Sequence, residues 1–206
     1  MKTPAREPLP PDHIEADCPV EGERRTAPRV TVLIRPAKLI ADGREFLCVL
    51  RDVSNGGVKL RLFHQVPAHE NLLIEFDTGE RHRLRFIWRT GDLAGFVFVD
   101  DVDVARLIAV HQGDYPRRQP RLHVEIEATL CTSGLRVPIM VRDISQRGAS
   151  IDCSGWLLID ELVRIESAVL PTVHAKVRWR RPPRYGVIFE QTFRLDELAN
   201  VAATFA

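Results

Sequence analysis

The chain has little lysine: Lys2, Lys38, Lys59 and Lys176 stand against 25 arginines. It has two methionines and two tyrosines, and no apolar run near the roughly 20 residues of a membrane-spanning helix. Its four cysteines, Cys18, Cys48, Cys131 and Cys153, are spread too widely for a CxxC zinc site or redox dithiol and are read as reduced thiols. The N-terminal stretch MKTPAREPLPPDHIEADCPVEGE lacks the apolar segment of a secretion signal, so a cytoplasmic location is expected. A formal net charge of +1 over 206 residues argues against a whole-surface nucleic-acid binder.

Catalytic signals are missing as well. His64 and His69 flank QVPA, but no carboxylate or cysteine stands at ligand spacing, so a surface loop is expected and no metal. No G-x-S-x-G elbow occurs and no histidine recurs in step with a serine, which leaves nucleophilic catalysis without its second member. The chain reads as a non-enzyme without a cofactor.

What is present is strand pattern. The first 23 residues, with five prolines and no apolar period, read as a flexible arm. From Val30 onward VTVLIRPAKLI, REFLCVLRDVS, GGVKLRLF, NLLIEFD, RHRLRFIWRT and GDLAGFVFVD alternate as six strands, separated at Asp42-Gly43, Asn55-Gly56 and Thr78-Gly79. Val104, Leu107, Ile108 and His111 then fall at helical spacing, with Asp101 or Asp103 as N-cap and Gly113 as the stop.

The pattern then returns. Pro28-Arg29-Val30 matches Pro120-Arg121-Leu122 at an offset of 92. Asp52, Ser54 and Gly57 match Asp143, Ser145 and Gly148 at 91, and so do Trp88 and Trp179, Gly95 and Gly186, and Leu107 and Leu198. The chain is therefore an internal duplication. The expected fold is all-β dominated: an arm over 1–23, then two tandem six-stranded antiparallel β-barrels over 24–112 and 113–206, each followed by a short C-terminal α-helix.

The repeated polar residues form one constellation per copy. Arg25 and Arg29, and again Arg117 and Arg121, stand four apart on segments where proline precedes the second arginine, so the backbone there is irregular and can wrap a ligand. Guanidinium forks suit phosphate oxygens and guanine O6 and N7. Alternation puts Asp52 with Ser54, and Asp143 with Ser145, on one side of a strand, where a carboxylate can accept guanine N1–H and N2–H. The glycine frees the backbone of a Cβ. By itself such a motif is more often a hydrogen-bonded turn capped by glycine; the arginine pair and the repetition favour a ligand. Trp88 and Trp179 are expected in the core.

RTAPR with DVSNGG, and RRQPR with DISQRG, resemble the RxxxR and D/NxSxxG signature of PilZ domains, the bacterial receptors for cyclic di-GMP, over nearly all of residues 23–206. The GFVF and GVIF strands are similar too. The resemblance implies that Arg25, Arg29, Asp52, Ser54 and Gly57 contact ligand in the first barrel, and Arg117, Arg121, Asp143, Ser145 and Gly148 in the second. The residue before the first motif arginine is associated in this family with binding one ligand or a stacked pair. Arg24 in the first copy resembles receptors of the pair, whereas the second has Pro116. The partners implied are cyclic di-GMP and a downstream protein, with no nucleic acid. Two other readings remain open: a protein-interaction scaffold with one or both ligand sites inactive, and a small barrel for single-stranded nucleic acid.

Overall fold

Apolar alternation sets the strands, and tight turns set their partners. The structure, a computed structural model, describes residues 30–66, 72–108 and 119–204, with side chains from residue 35 onward. The arm, Cys18, His69 and residues 109–118, including His111 and Gly113, lie outside the described residues. Strand β1 (Val30–Ala41) folds back on β2 (Arg44–Ser54) at Asp42 and Gly43, whose φ values of 48° and 81° match the right-handed twist of a two-residue hairpin. Then come β3 (Gly57–Leu62), β4 (Leu72–Glu75), β5 (Arg81–Thr90) and β6 (Leu93–Phe98). They close a barrel in the order β1-β2-β3-β6-β5-β4, sealed by β4 against β1.

The second copy repeats this with β7 (Leu122–Thr132), β8 (Leu135–Ser145), β9 (Gly148–Cys153), β10 (Leu162–Glu166), β11 (Val173–Arg181) and β12 (Arg184–Phe189), closed in the order β10-β11-β12-β9-β8-β7. Both barrels carry irregular register at matching places, between Leu50 and Asp52 and between Val141 and Asp143. An extra residue there bends the strand and re-aims the side chains beyond the bend. Two expected strands, REFLCVLRDVS and RHRLRFIWRT, are β2 and β5 residue for residue.

The expected helices are α1 (Val104–Ile108) and α2 (Leu195–Ala203). Of the two candidate caps it is Asp103 that accepts from the Arg106 amide, at 3.2 Å. In α2 the Glu197 carboxylate accepts from the Arg194 amide at 2.8 Å, covering a donor the first turn leaves over. Leu198, Ala199, Val201 and Ala202 join the second core, which is built around Leu122, Ile126, Leu130, Ile144 and Tyr185.

The barrels are joined by β2. Its run Phe46 to Leu50 is buried at five successive positions, so both faces are covered. One face belongs to the first core; Leu47 instead joins the second core, Phe63 of the first barrel packs against that core, and α2 lies against β2. Beside this apolar seam Lys38, 3% exposed, is held by Glu45 at 2.9 Å and Glu75 at 2.8 Å. The second barrel reaches the same carboxylate: the His123 amide donates to Glu45 at 2.9 Å, and its ring Nδ1 lies 3.0 Å from the other oxygen.

Burial pushes the Glu45 carboxyl up, but the His123 amide, Lys38 and the His123 ring together hold it below its ordinary value of 4.5; for Glu75, Lys38 and Arg81 outweigh burial in the same direction. Carboxyls depressed in the folded state contribute stability above pH 4.5, and that contribution is lost as pH falls through their folded values. Lys38→Met takes the ammonium from two carboxylates beside an apolar seam, leaving Glu45 with His123 and Glu75 with Arg81, and is expected to cost about 3 kcal/mol at neutral pH. In urea denaturation the deficit should shrink as pH is lowered below 4.5 and the carboxyls protonate. A deficit that is constant with pH would place the effect in packing.

Candidate functional site

In the second barrel the strand irregularity before Asp143 delivers its carboxylate beside β7, in register with His123 and with Ser150 on β9. Arg121 Nη1 donates to Asp143 Oδ1 at 2.5 Å, and the Ser150 hydroxyl donates to Asp143 Oδ2. The arginine and carboxylate side chains are 52% and 23% exposed, and solvent-facing pairs of this kind contribute little to stability, so an anion or a guanine edge can displace either partner from the other.

Ser145 does something else. It is buried, and its hydroxyl donates to the Gly148 carbonyl at 3.0 Å, closing the turn between β8 and β9. The turn is pinned from outside as well: the Gln146 side chain donates to the Phe193 carbonyl, and the Phe189 and Phe193 amides donate to the Arg147 and Gln146 carbonyls, each at 2.9 Å. The glycine is required by a close approach and not by its own φ: a Cβ on Gly148 would lie 2.3 Å from the Val187 carbonyl oxygen on β12. So the motif is partly a turn device, with Asp143 presented by it.

The first barrel repeats the device. Ser54 donates to the Gly57 carbonyl at 3.4 Å, a Cβ on Gly57 would meet the Phe96 carbonyl oxygen at 2.2 Å, and Asp52 is 3.5 Å from Lys59 Nζ. Arg24, Arg25, Arg29 and Arg117 lie outside the described residues, so Arg121 is the motif arginine whose position is defined.

The tryptophans depart from expectation. Trp88 and Trp179 are not core residues; they are 41% and 39% exposed on the outer face of each barrel. Each indole lies against glycine backbone: a Cβ on Gly95 would fall 2.1 Å from Trp88 Nε1, and one on Gly186 would fall 2.0 Å from Trp179 Nε1. The repeated Trp and Gly, 7 residues apart in each copy, were the sequence signal for this packing.

Trp179 and the Asp143 cluster share a cleft of about 840 Å³. Arg121, Asp143, Arg147, Arg178 and Trp179 line it from the second barrel, while Lys38, Glu75 and the turn Phe76 to Gly79 line it from the first. One wall therefore offers cations, a carboxylate and an aromatic face, and the other wall is a hairpin of the neighbouring barrel. Arg180, beside Trp179, stacks 4.6 Å over Trp156. His64, expected in a surface loop, is half-buried with Nε2 unpartnered, and no group among the described residues could hold a metal ion. Cys48 and Cys153 are buried free thiols, and burial pushes Cys48 up to about 12.

Gly186→Ala should lift the Trp179 indole off β12. With Trp88 and Trp156 replaced by Phe, the expected outcome is a red-shifted, more readily quenched Trp179 emission; unchanged emission would mean the ring does not rest on Gly186.

The chain matches the family model described as PilZ domain over residues 23–110 and again over 115–203. Among solved structures it is similar to the Borreliella burgdorferi PlzA protein in complex with c-di-GMP, at 11% identity and a TM-score of 0.38, covering 82% of this chain and 87% of that one. It is also similar to the Bacillus subtilis inhibitor of motility, at 12% identity and a TM-score of 0.34, covering 84% and 96%. A third similarity is to the c-di-GMP complex of YcgR from Escherichia coli, at 13% identity and a TM-score of 0.31, covering 80% and 79%. No curated protein matches it. With the family's domain found twice, across most of the sequence, the chain belongs to the PilZ domain family.

Proposed function

We propose that this chain is a non-catalytic cytoplasmic receptor that binds cyclic di-GMP and passes the signal on through the arrangement of its two barrels. The arm would be residues 1–23 and the barrels 24–112 and 113–206. The observation that carries the proposal is the convergence of Arg121, Asp143 and Trp179 on one cleft whose opposite wall is the first barrel. The similar structures of PlzA and YcgR are c-di-GMP complexes, which agrees with it.

The chemistry of the cleft suits the ligand. Arg121 can exchange its carboxylate for a phosphate or for guanine O6 and N7, with little lost because the present pair is exposed. Asp143, once released, is an acceptor for guanine N1–H and N2–H; a phosphate, having no N–H to donate, could not take that place. The half-exposed indole of Trp179 provides a flat face for a purine. Arg117, four residues before Arg121, would close over the ligand, and Arg24, Arg25 and Arg29 would do so with Asp52 in the first barrel.

The relay is a consequence of chain connectivity. Two residues after Arg121, His123 is bonded to Glu45 of the first barrel. Ligand that moves Arg121 therefore acts on the seam, and ordering of the arginine segments would change how the barrels meet. A downstream protein would read that change. The exposed Trp156 and Leu162, 66% and 61% accessible on the second barrel, favour such a partner surface.

Calorimetric titration with cyclic di-GMP tests the proposal, with GTP and a short single-stranded RNA as controls. Saturable binding of the cyclic dinucleotide alone is expected. Arg121→Ala should weaken the second site by about tenfold or more, and Arg25→Ala with Arg29→Ala should remove the first. Salt-sensitive binding of RNA in its place would indicate a nucleic-acid barrel, and absence of heat with all three ligands an interaction scaffold.

A further inference from the structure

The two copies share their motif residues, but their surroundings differ: the first barrel has Lys59 paired with Asp52 at 3.5 Å where the second has Ser150, and the second has an arginine at two other equivalent positions. The first is the turn residue before the motif glycine, Arg147 in the second barrel and Gly56 in the first, each between a serine and glycine paired in register. The second is the residue at the register irregularity preceding the tryptophan, Arg178 on β11 and Ile87 on β5. Both arginines line the cleft with Asp143. Arg147 has an exposed side chain with no carboxylate partner among the described residues, and its backbone is fixed by the Phe189 amide. Arg178 is 3.8 Å from Asp160, with both side chains more than 60% exposed.

We infer that Arg147, assisted by Arg178, contacts the phosphates of the ligand and makes the second barrel the higher-affinity site, which fills first. This rests on the cyclic di-GMP reading above and extends it to the order of occupancy. A dianion entering the second cleft meets two cations beyond the motif arginines, both on backbone already held in the barrel, so only their side chains need ordering to form charge-assisted bonds. At the same places the first barrel offers a hydrogen and a sec-butyl group. The first site therefore lacks both bonds, and its response is set to higher ligand concentration.

The asymmetry is also transferable. A Cβ built on Gly56 meets nothing within 4 Å, and Gly56 is not among the residues with positive φ, so an arginine fits that turn as Arg147 fits its own. This permits a gain as well as a loss. The test is calorimetric titration of the full chain with cyclic di-GMP. Asp52→Ala weakens the first site so that the second can be read, and Asp143→Ala does the reverse.

In the first background Arg147→Gly should weaken binding by about tenfold, and Arg147→Lys should keep most of the affinity. In the second background Gly56→Arg should strengthen binding by a similar factor, and that gain should shrink as salt is raised. Should Arg147→Gly disturb folding, the Gly56→Arg arm still decides. If neither substitution changes affinity while Asp52→Ala and Asp143→Ala do, the cyclic di-GMP reading stands and the inference about Arg147 is overturned. If the unaltered chain does not bind cyclic di-GMP, both fall.

Discussion

A buried ammonium ion fixes this molecule's geometry. Lys38 is almost fully excluded from water on a strand whose neighbours are apolar, a position that costs several kcal/mol unless the charge is paired and hydrogen-bonded. Glu45 and Glu75 supply the pairing from the first barrel, and His123 of the second binds the same Glu45. The cation thus needs its carboxylates, and one of those carboxylates holds the neighbouring barrel. Leu47 adds apolar contact at the same place by entering the second core. With the barrels fixed along this line, the Phe76 to Gly79 turn faces Arg121 and Asp143, and the cleft between them exists.

Duplication supplied two copies of the same parts, and their contexts have made them unequal. In each copy a serine closes a turn, a glycine admits a neighbouring carbonyl, and a tryptophan lies over a second glycine. These are packing requirements, and they account for why the motif residues recur as a set. The carboxylate stands apart from them because it is presented outward: Asp143 meets Arg121 and Ser150, whereas Asp52 lies near Lys59. The residues around the motif differ between the copies. Arg147 and Arg178 face the cleft where Gly56 and Ile87 occupy the equivalent places.

Most of the fold could be read from the sequence because strands such as β3, β4 and β7 alternate between a buried and a wetter face, and that leaves a period of two. The turns at Asp42-Gly43 and Asn55-Gly56 punctuated the strands, and the 91-residue offset gave the second barrel from the first. The interbarrel seam was less visible. Its signal was the unbroken apolar run Phe46 to Leu50, which a strand with one wet face would not carry, in contrast with the alternation of β8. The tryptophans misled because a large aromatic suggests a core, and its flat packing over glycine becomes evident only when the β5–β6 and β11–β12 registers are known. Of the candidate site, Asp143 and Arg121 come together as the motif suggested, and Ser145 lies beneath them as a support. Nothing local in the sequence could place the hairpin of one barrel opposite the motif of the other.

Hydrogen–deuterium exchange with and without cyclic di-GMP tests most directly whether the cleft acts as one site built from two barrels. Slower exchange is expected in the Arg147 turn and β7 of the second barrel, together with slower exchange in the Phe76 to Glu80 turn of the first. Slowing confined to the second barrel, with the Phe76 to Glu80 turn unchanged, would contradict it.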